Sequence, residues 1–306
     1  LRCRRILAAK YYEGLNRFQP VALNHLYSDL NKPEYRQLQR KLFGSALTVL
    51  QNHNNIIPLR HLDTLRTASL IFSRNNDSIF AQDLALYMPV TNYLVGRGES
   101  AGDSLLQVLK SHNLIIAGIQ TDDFRANLQY GITDATIRFL DTLATLRPVV
   151  LVVFGNPYLL DRFADPGRFA SVILAYENAP ESQEQASMLV FGASGASGRI
   201  PVNAGLWKSN RSGIPVEAIG RLQFALPADA GMDEDPLNGI SAVIADAIDK
   251  QALPGCEILV ARQGKVVYYK AFGSQKYAYS RPVQRTDLYD LASVTKIAAT
   301  TISMMR

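Results

Sequence analysis

Two residues three apart, Ser293 and Lys296 in the stretch LYDLASVTKIAATT (Leu288–Thr301), could do nucleophilic chemistry in this 306-residue chain. A serine hydroxyl is a weak nucleophile until a base takes its proton. Histidine is the commonest base, but all four histidines, His25, His53, His61 and His112, lie far upstream. Lysine can replace it where apolar surroundings lower its pKa, and Leu291, Ala292, Ile297, Ala298 and Ala299 flank the pair. On a helix the two residues share one face. A serine in a first helical turn also meets backbone N–H groups and the positive end of the dipole, where an oxyanion would develop. The same spacing suits a serine that caps a helix and a lysine that is solvated. About one Ser-x-x-Lys is expected by chance at this length, so spacing alone leaves both readings open.

A second set of candidates follows a series of short apolar runs. ASLIFS (Ala68–Ser73), LIIAGI (Leu114–Ile119), VVLVVF (Val149–Phe154) and SVILAY (Ser171–Tyr176) alternate with helix-like segments such as SLLQVLKSH and ATIRFLDTLATL. Near-continuous apolar strands alternating with helices predict an α/β fold, a parallel sheet covered by helices on both faces. Ligands of such sheets sit beyond the carboxyl ends of the strands, which here means Asp122, Asp123, Asn156, Glu177 and Asn178. Asp and Asn at these places also commonly cap the next helix. A glycosidase needs two carboxyl groups roughly 5 to 9.5 Å apart. Asp122 and Asp123 are adjacent, so their side chains diverge on an extended loop, and they do not read as a pair.

Around these runs, residues 24–52 read as helical, with apolar residues at spacings of three and four. From Asn203 to Pro236 the text turns rich in Gly, Pro, Ser and Asp without a sustained period, and reads as a linker. NGISAVIADAIDKQALPG then predicts an amphipathic helix, and CEILVARQGKVVYYKAFG a hairpin turning at RQG, just before the serine.

Hydrophobic residues make up 47% and charged residues 19% of the chain, which suits packed domains rather than disorder. The net charge of +5 is mild, and the one dense basic run, LRCRRILAAK, has no interleaved aromatics, so nucleic acid is not an expected partner. Cys3 and Cys256 stand far apart with no neighbours at metal-ligand spacing. No apolar run reaches the roughly 18 residues of a membrane span. The chain opens without Met in a helix-like pattern and closes on the apolar run AATTISMMR. Both ends read as cut through helices, which predicts a piece of a larger protein.

The residues PGCEILVARQGKVVYYKAFG followed by LYDLASVTKIAATT resemble the opening of the serine β-lactamase and penicillin-binding-protein family, in the branch of class C β-lactamases and related esterases. The resemblance covers about the last 70 residues. It implies that Ser293 is the acylated nucleophile and Lys296 its general base. The family's Tyr-x-Asn and Lys-Thr-Gly or His-x-Gly elements lie C-terminal to the serine. The YEN of Tyr176–Asn178 lies upstream and reads as a decoy.

The first two hundred residues resemble another family. VALNHLYSDLNKPEYRQLQRKLFGSALTVLQNHNNIIPL, VVLVVFGNPYLL and VILAYENAPESQEQASMLVFGASGASGRIPV are similar to the C-terminal α/β domain of glycoside hydrolase family 3. RRILAAKYYEGL resembles the helix joining that domain to a (β/α)8 barrel. The implied organisation is the end of a barrel with its connecting helix (1–23), the α/β domain (24–205), a linker (206–236) and the N-terminal part of a serine β-lactamase-like domain (237–306).

In the β-N-acetylglucosaminidase branch the catalytic Asp and His lie on the barrel, and in the β-glucosidase branch a Glu of this second domain is the acid/base. Glu99 and Glu177 are the glutamates to consider for that role, and Asp122 and Glu177 the candidates for substrate contact.

The order of the two resemblances implies a bacterial bifunctional hydrolase acting on glycan or peptidoglycan-derived material, periplasmic, outer-membrane-associated or secreted. It requires no metal or organic cofactor, and its partners are the missing barrel and the serine-hydrolase remainder. Such a piece is expected to be inactive by itself. The rival reading is a non-catalytic glycan-binding or scaffold domain with a degenerate serine-hydrolase relic. A flavodoxin-like nucleotide binder has little support, because no G-x-G-x-x-G or P-loop follows ASLIFSRNND.

Overall fold

The computed structural model describes residues 2–20, 22–75, 77–96, 101–278 and 281–305. The chain forms two compact units, Leu1–Leu38 and Gln39–Arg306. The first holds helices α1 (Arg2–Tyr12) and α2 (Leu26–Leu30) and the start of α3 (Pro33–Ala46). Its described side chains are almost all exposed.

The second unit is α/β, as the alternating apolar runs predict. Strands β1 (Thr48–Asn52), β2 (Thr67–Phe72), β3 (Val90–Val95), β4 (Leu114–Gln120), β5 (Val149–Phe154) and β6 (Ser171–Leu174) form a sheet in the order β1-β6-β5-β4-β2-β3. All neighbours are parallel except β1, which runs antiparallel along β6. Every residue of β2, β4 and β5 is buried, as expected of central strands covered on both sides.

Because successive side chains alternate across a strand, the runs feed two cores. Leu70, Ile115, Ala117, Leu151 and Val153 pack with Leu109 of α5 (Asp103–Leu109) and with Ile137, Leu140 and Leu143 of α6 (Asp134–Leu146). Ile71, Ile116, Val150, Val152 and Phe154 pack with Phe80 and Leu84 of α4 (Ile79–Leu84) and with Ala186, Leu189 and Val190 of α7 (Pro180–Phe191). Each large side chain so buried contributes about 1.5–3 kcal/mol.

Two strands differ from the sequence expectation. Residues 48–52 are not helical: α3 ends at Ala46, just past Gly44 and Ser45, and Thr48–Asn52 forms β1. Val49 and Leu50 sit on opposite faces of this edge strand and both are buried, so their apolar spacing matches a helix only by coincidence. Strand β3 is the other edge. Its Thr91, Asn92 and Leu94 face solvent, which leaves no apolar run to read.

The stretch 206–236, expected as a linker, is anchored at several points along its length. Trp207 is 6% exposed and its indole N–H donates to the Leu50 carbonyl at 2.9 Å. Val216 is buried and bridges Ala196, and Gln223–Phe224 forms a short strand, β7. Gly, Pro and Ser abolish regular periodicity without preventing burial.

Helix α8 (Glu234–Asp249) and strands β8 (Gly255–Arg262) and β9 (Lys265–Gly273) follow. The hairpin turns on Gln263 and Gly264, both with positive φ (53° and 75°), a two-residue turn matched to strand twist. Leu237, Val267, Tyr268 and Ala230 make a small third core with Ile240, Ile258 and Phe272. Helix α9 (Val294–Met304) buries no side chain.

Candidate active site and the carboxyl edge of the sheet

Ser293 sits at the N-cap of α9 with helical dihedrals (φ −68°, ψ −16°) and makes no side-chain capping bond. The turn before it is tight. Ala292 has φ +43° and its N–H donates to Asp290 Oδ1 at 2.9 Å, while Val294 N–H donates to the Leu291 carbonyl at 2.9 Å. The Ser293 hydroxyl therefore points away from the capping role and faces Lys296, whose Nζ lies 3.4 Å away. The helical spacing brings the pair together as the sequence suggested.

The apolar shell expected around the lysine is not present among the described residues. Ser293 and Lys296 are exposed, and Val294, Ile297 and Ile302 are 56%, 70% and 66% exposed.

The loop leading to Ser293 is tied to the hairpin. The Tyr269 hydroxyl lies 2.6 Å from the Arg285 carbonyl oxygen and 3.0 Å from Glu257 Oε2, and the Arg285 guanidinium lies over the Tyr269 ring at 5.6 Å. Asp287 accepts Gln284 N–H at 3.0 Å and Arg281 Nη2 at 2.6 Å, and the first of these bonds leads in holding its carboxyl below the usual range.

At the carboxyl edge of the parallel sheet the candidates part company. Asp122 is exposed, whereas Asp123 is buried. Asp123 Oδ1 accepts Arg125 Nε at 3.0 Å and Arg125 N–H at 3.1 Å, Oδ2 accepts Arg125 Nη2 at 2.9 Å, and Arg74 Nη2 lies 3.7 Å off. These bonds, the Arg125 side chain first, lower its pKa to about 2.

Glu177 is exposed. It follows Tyr176, a bulky residue at φ +66° whose hydroxyl lies 2.8 Å from Thr48 Oγ1. A bulky side chain in the left-handed region is unusual, and the residue after it, Glu177, is exposed. Asn156 caps the following turn by accepting Tyr158 N–H at 3.0 Å. Asn178 accepts Gln183 Nε2 at 3.0 Å, and Gln183 Oε1 accepts Gln120 Nε2 at 2.9 Å and Phe80 N–H at 3.0 Å.

This Gln120–Gln183–Asn178 chain, whose two glutamines are buried, escaped sequence reasoning, because neither glutamine stands in a motif. Tyr176 and Asn178 of the YEN stretch lie at this edge. Glu99 lies outside the described residues. Among the described residues no hydrogen bond or ion pair joins this edge to the Ser293–Lys296 turn, and no group of three or more His, Cys, Asp or Glu side chains could hold a metal ion.

The Beta-lactamase family model matches residues 240–306, the segment that carries Ser293 and Lys296. A "Putative D-alanyl-D-alanine carboxypeptidase" of Escherichia coli O157:H7 is 33% identical over 87 residues, covering 26% of this chain and 20% of the relative.

The chain is also similar to solved glycosidases. A glycoside hydrolase family 3 β-N-acetylglucosaminidase from Paenibacillus sp. str. FPU-7 is 12% identical, covering 62% of this chain and 36% of that one, at a TM-score of 0.46. A β-glucosidase from Listeria innocua is 16% identical, covering 64% and 30%, at a TM-score of 0.48. A fungal multi-domain GH3 β-N-acetylglucosaminidase is 22% identical, covering 83% and 29%, at a TM-score of 0.47.

The chain spans a fifth of the curated relative it matches and 29–36% of these solved structures. Its C-terminal segment is β-lactamase-like, and its neighbours among solved structures include two family 3 β-N-acetylglucosaminidases and a β-glucosidase.

Proposed function

We propose that this chain is the central part of a bifunctional hydrolase in which Ser293 is the nucleophile and Lys296 its general base. The observation that carries the reading is the 3.4 Å approach of Lys296 Nζ to a Ser293 hydroxyl that is not used as a helix cap. In the reaction, Ser293 Oγ attacks an ester or amide carbonyl and its proton passes to Lys296 Nζ. The oxyanion gathers negative charge at the N-terminus of α9. The tetrahedral intermediate expels an alcohol or amine, which takes the proton from lysine, and leaves an ester on Ser293. Water then attacks that ester, regenerates the serine and releases the acid.

The matched carboxypeptidase makes a peptide ending in D-Ala-D-Ala the first substrate to try. The α/β domain would serve a family 3 glycosidase of β-N-acetylhexosaminidase type, whose catalytic Asp and His lie on a barrel outside this chain. Asp122 and Glu177, exposed at the carboxyl edge, are the side chains free to meet a glycan there. Neither reaction calls for a cofactor, and a periplasmic or outer-membrane-associated setting suits a peptidoglycan-derived substrate. No helix among the described residues is long and apolar enough to cross a membrane.

The exposure of α9 favours a second reading for residues 1–306 by themselves. A helix with no buried side chain leaves Ser293 and Lys296 open to solvent, so this stretch by itself would be a scaffold without turnover. Acylation separates the two. In the complete reading frame, a β-lactam should add its mass to Ser293. Absence of the adduct there would leave only the scaffold reading.

A further inference from the structure

Between Gly192 and the hairpin, the chain is bonded on both sides. Toward the α/β sheet, Ile219 N–H donates to the Gly192 carbonyl at 2.8 Å, and Arg221 Nη1 donates to the carbonyls of Leu59 at 2.8 Å and Phe191 at 2.6 Å. The Tyr87 hydroxyl donates to the Leu222 carbonyl at 2.9 Å, Gln223 Nε2 to that of Ala193 at 2.9 Å, and Arg40 Nη2 to that of Phe224 at 2.8 Å. Toward the hairpin, β7 runs parallel to β9, with Gln223 N–H on the Gly264 carbonyl and Ala225 N–H on that of Val266, both at 3.0 Å. The Tyr87 ring stacks on Phe191 at 4.7 Å and meets the Phe224 ring edge-on at 5.5 Å.

Arg40 is the centre of this junction. It is 6% exposed and pairs with Glu184 of α7 and, at 3.4 Å, with Asp229. Asp229 reaches both ways, since its carboxylate also accepts Leu226 N–H at 3.1 Å and its carbonyl accepts Lys265 Nζ of β9 at 2.7 Å. Charged side chains are almost never this buried unless paired, and removing one partner leaves an uncompensated buried charge. A flexible tether would have none of these bonds.

We propose that the junction is a docking interface through which the α/β domain holds the β-lactamase-like hairpin as part of one rigid body, with Arg40, Tyr87 and Asp229 as its anchors. The hairpin, and with it the loop that Tyr269 fastens at Arg285 ahead of Ser293, then takes its orientation from the α/β domain. The inference rests on the reading of residues 240–306 as β-lactamase-like, and does not require that Ser293 be reactive.

Hydrogen exchange measured by mass spectrometry on the full chain tests it. In Arg40→Met, amides of the hairpin (Gly255–Gly273) should exchange at least tenfold faster, while β4 and β5 keep their protection. Unchanged hairpin exchange, or equal acceleration throughout the α/β sheet, would overturn it. If Arg40→Met does not fold, Asp229→Asn combined with Tyr87→Phe removes anchors outside the sheet, and the same contrast is expected. The readout is local opening, so it succeeds or fails independently of acylation at Ser293.

Discussion

Asp123 grips Arg125 through both carboxylate oxygens, at 3.0 and 2.9 Å, and is buried while its neighbour Asp122 faces solvent. Of two adjacent aspartates at the end of β4, one is thus structural and the other open to a ligand. Asp123→Asn should lower the melting temperature at neutral pH. The pH dependence has a definite sign. A carboxyl whose folded pKa is lowered to about 2 stabilises the fold above its unfolded value of 3.8, and that stabilisation is lost as pH falls toward 2. The melting temperature of Asp123→Asn should therefore fall less steeply than that of the parent between pH 4 and 2. Parallel curves would remove Asp123 from the account.

Asp83 on α4 gives the opposite sign. Burial raises its pKa from 3.8 to about 6, against the opposing charges of Arg40 and Arg285. Between those pH values the folded state holds the proton more tightly than the unfolded one, so stability rises as pH falls from 7 to 4. The effect is at most on the order of 3 kcal/mol. Asp141, whose pKa burial also raises, adds in the same direction. Asp83→Asn should flatten this slope and raise the melting temperature at pH 7. A slope that survives the substitution would assign it to other groups.

Trp207 tests whether the Gly- and Pro-rich stretch is structural. Trp207→Ala removes a nearly buried ring and strips the Leu50 carbonyl of its indole partner. Denaturant unfolding should show a loss of about 3–5 kcal/mol. Protease should cut the parent slowly between 206 and 230 and the variant quickly. Rapid cutting of the parent would restore the linker expected from composition.

The parts of this molecule that could be read from sequence are those where one side-chain property repeats. β2, β4, β5 and β6 announce themselves as apolar runs, and the hairpin as two runs about a Gly. Edge strands gave no such signal, because the polar pair Thr91–Asn92 interrupts β3 and the apolar positions of β1 also fit a helix. Ser293 and Lys296 were legible because helical spacing alone brings them together.

Arg40 was not legible. Its partners Glu184, Phe224 and Asp229 stand more than a hundred residues away, and nothing local marks a buried arginine. The exposure of α9 was equally hidden, since its apolar residues read as core whether or not a partner covers them.

The most direct test of the serine reading is intact-protein mass spectrometry after incubation of the complete reading frame with a penicillin. The account predicts an adduct of the full β-lactam mass on Ser293. It should be absent in Ser293→Ala and formed some 10²- to 10⁴-fold more slowly in Lys296→Ala, the usual contribution of a positioned base. An adduct that persists in Ser293→Ala, or no adduct on the parent, would contradict it.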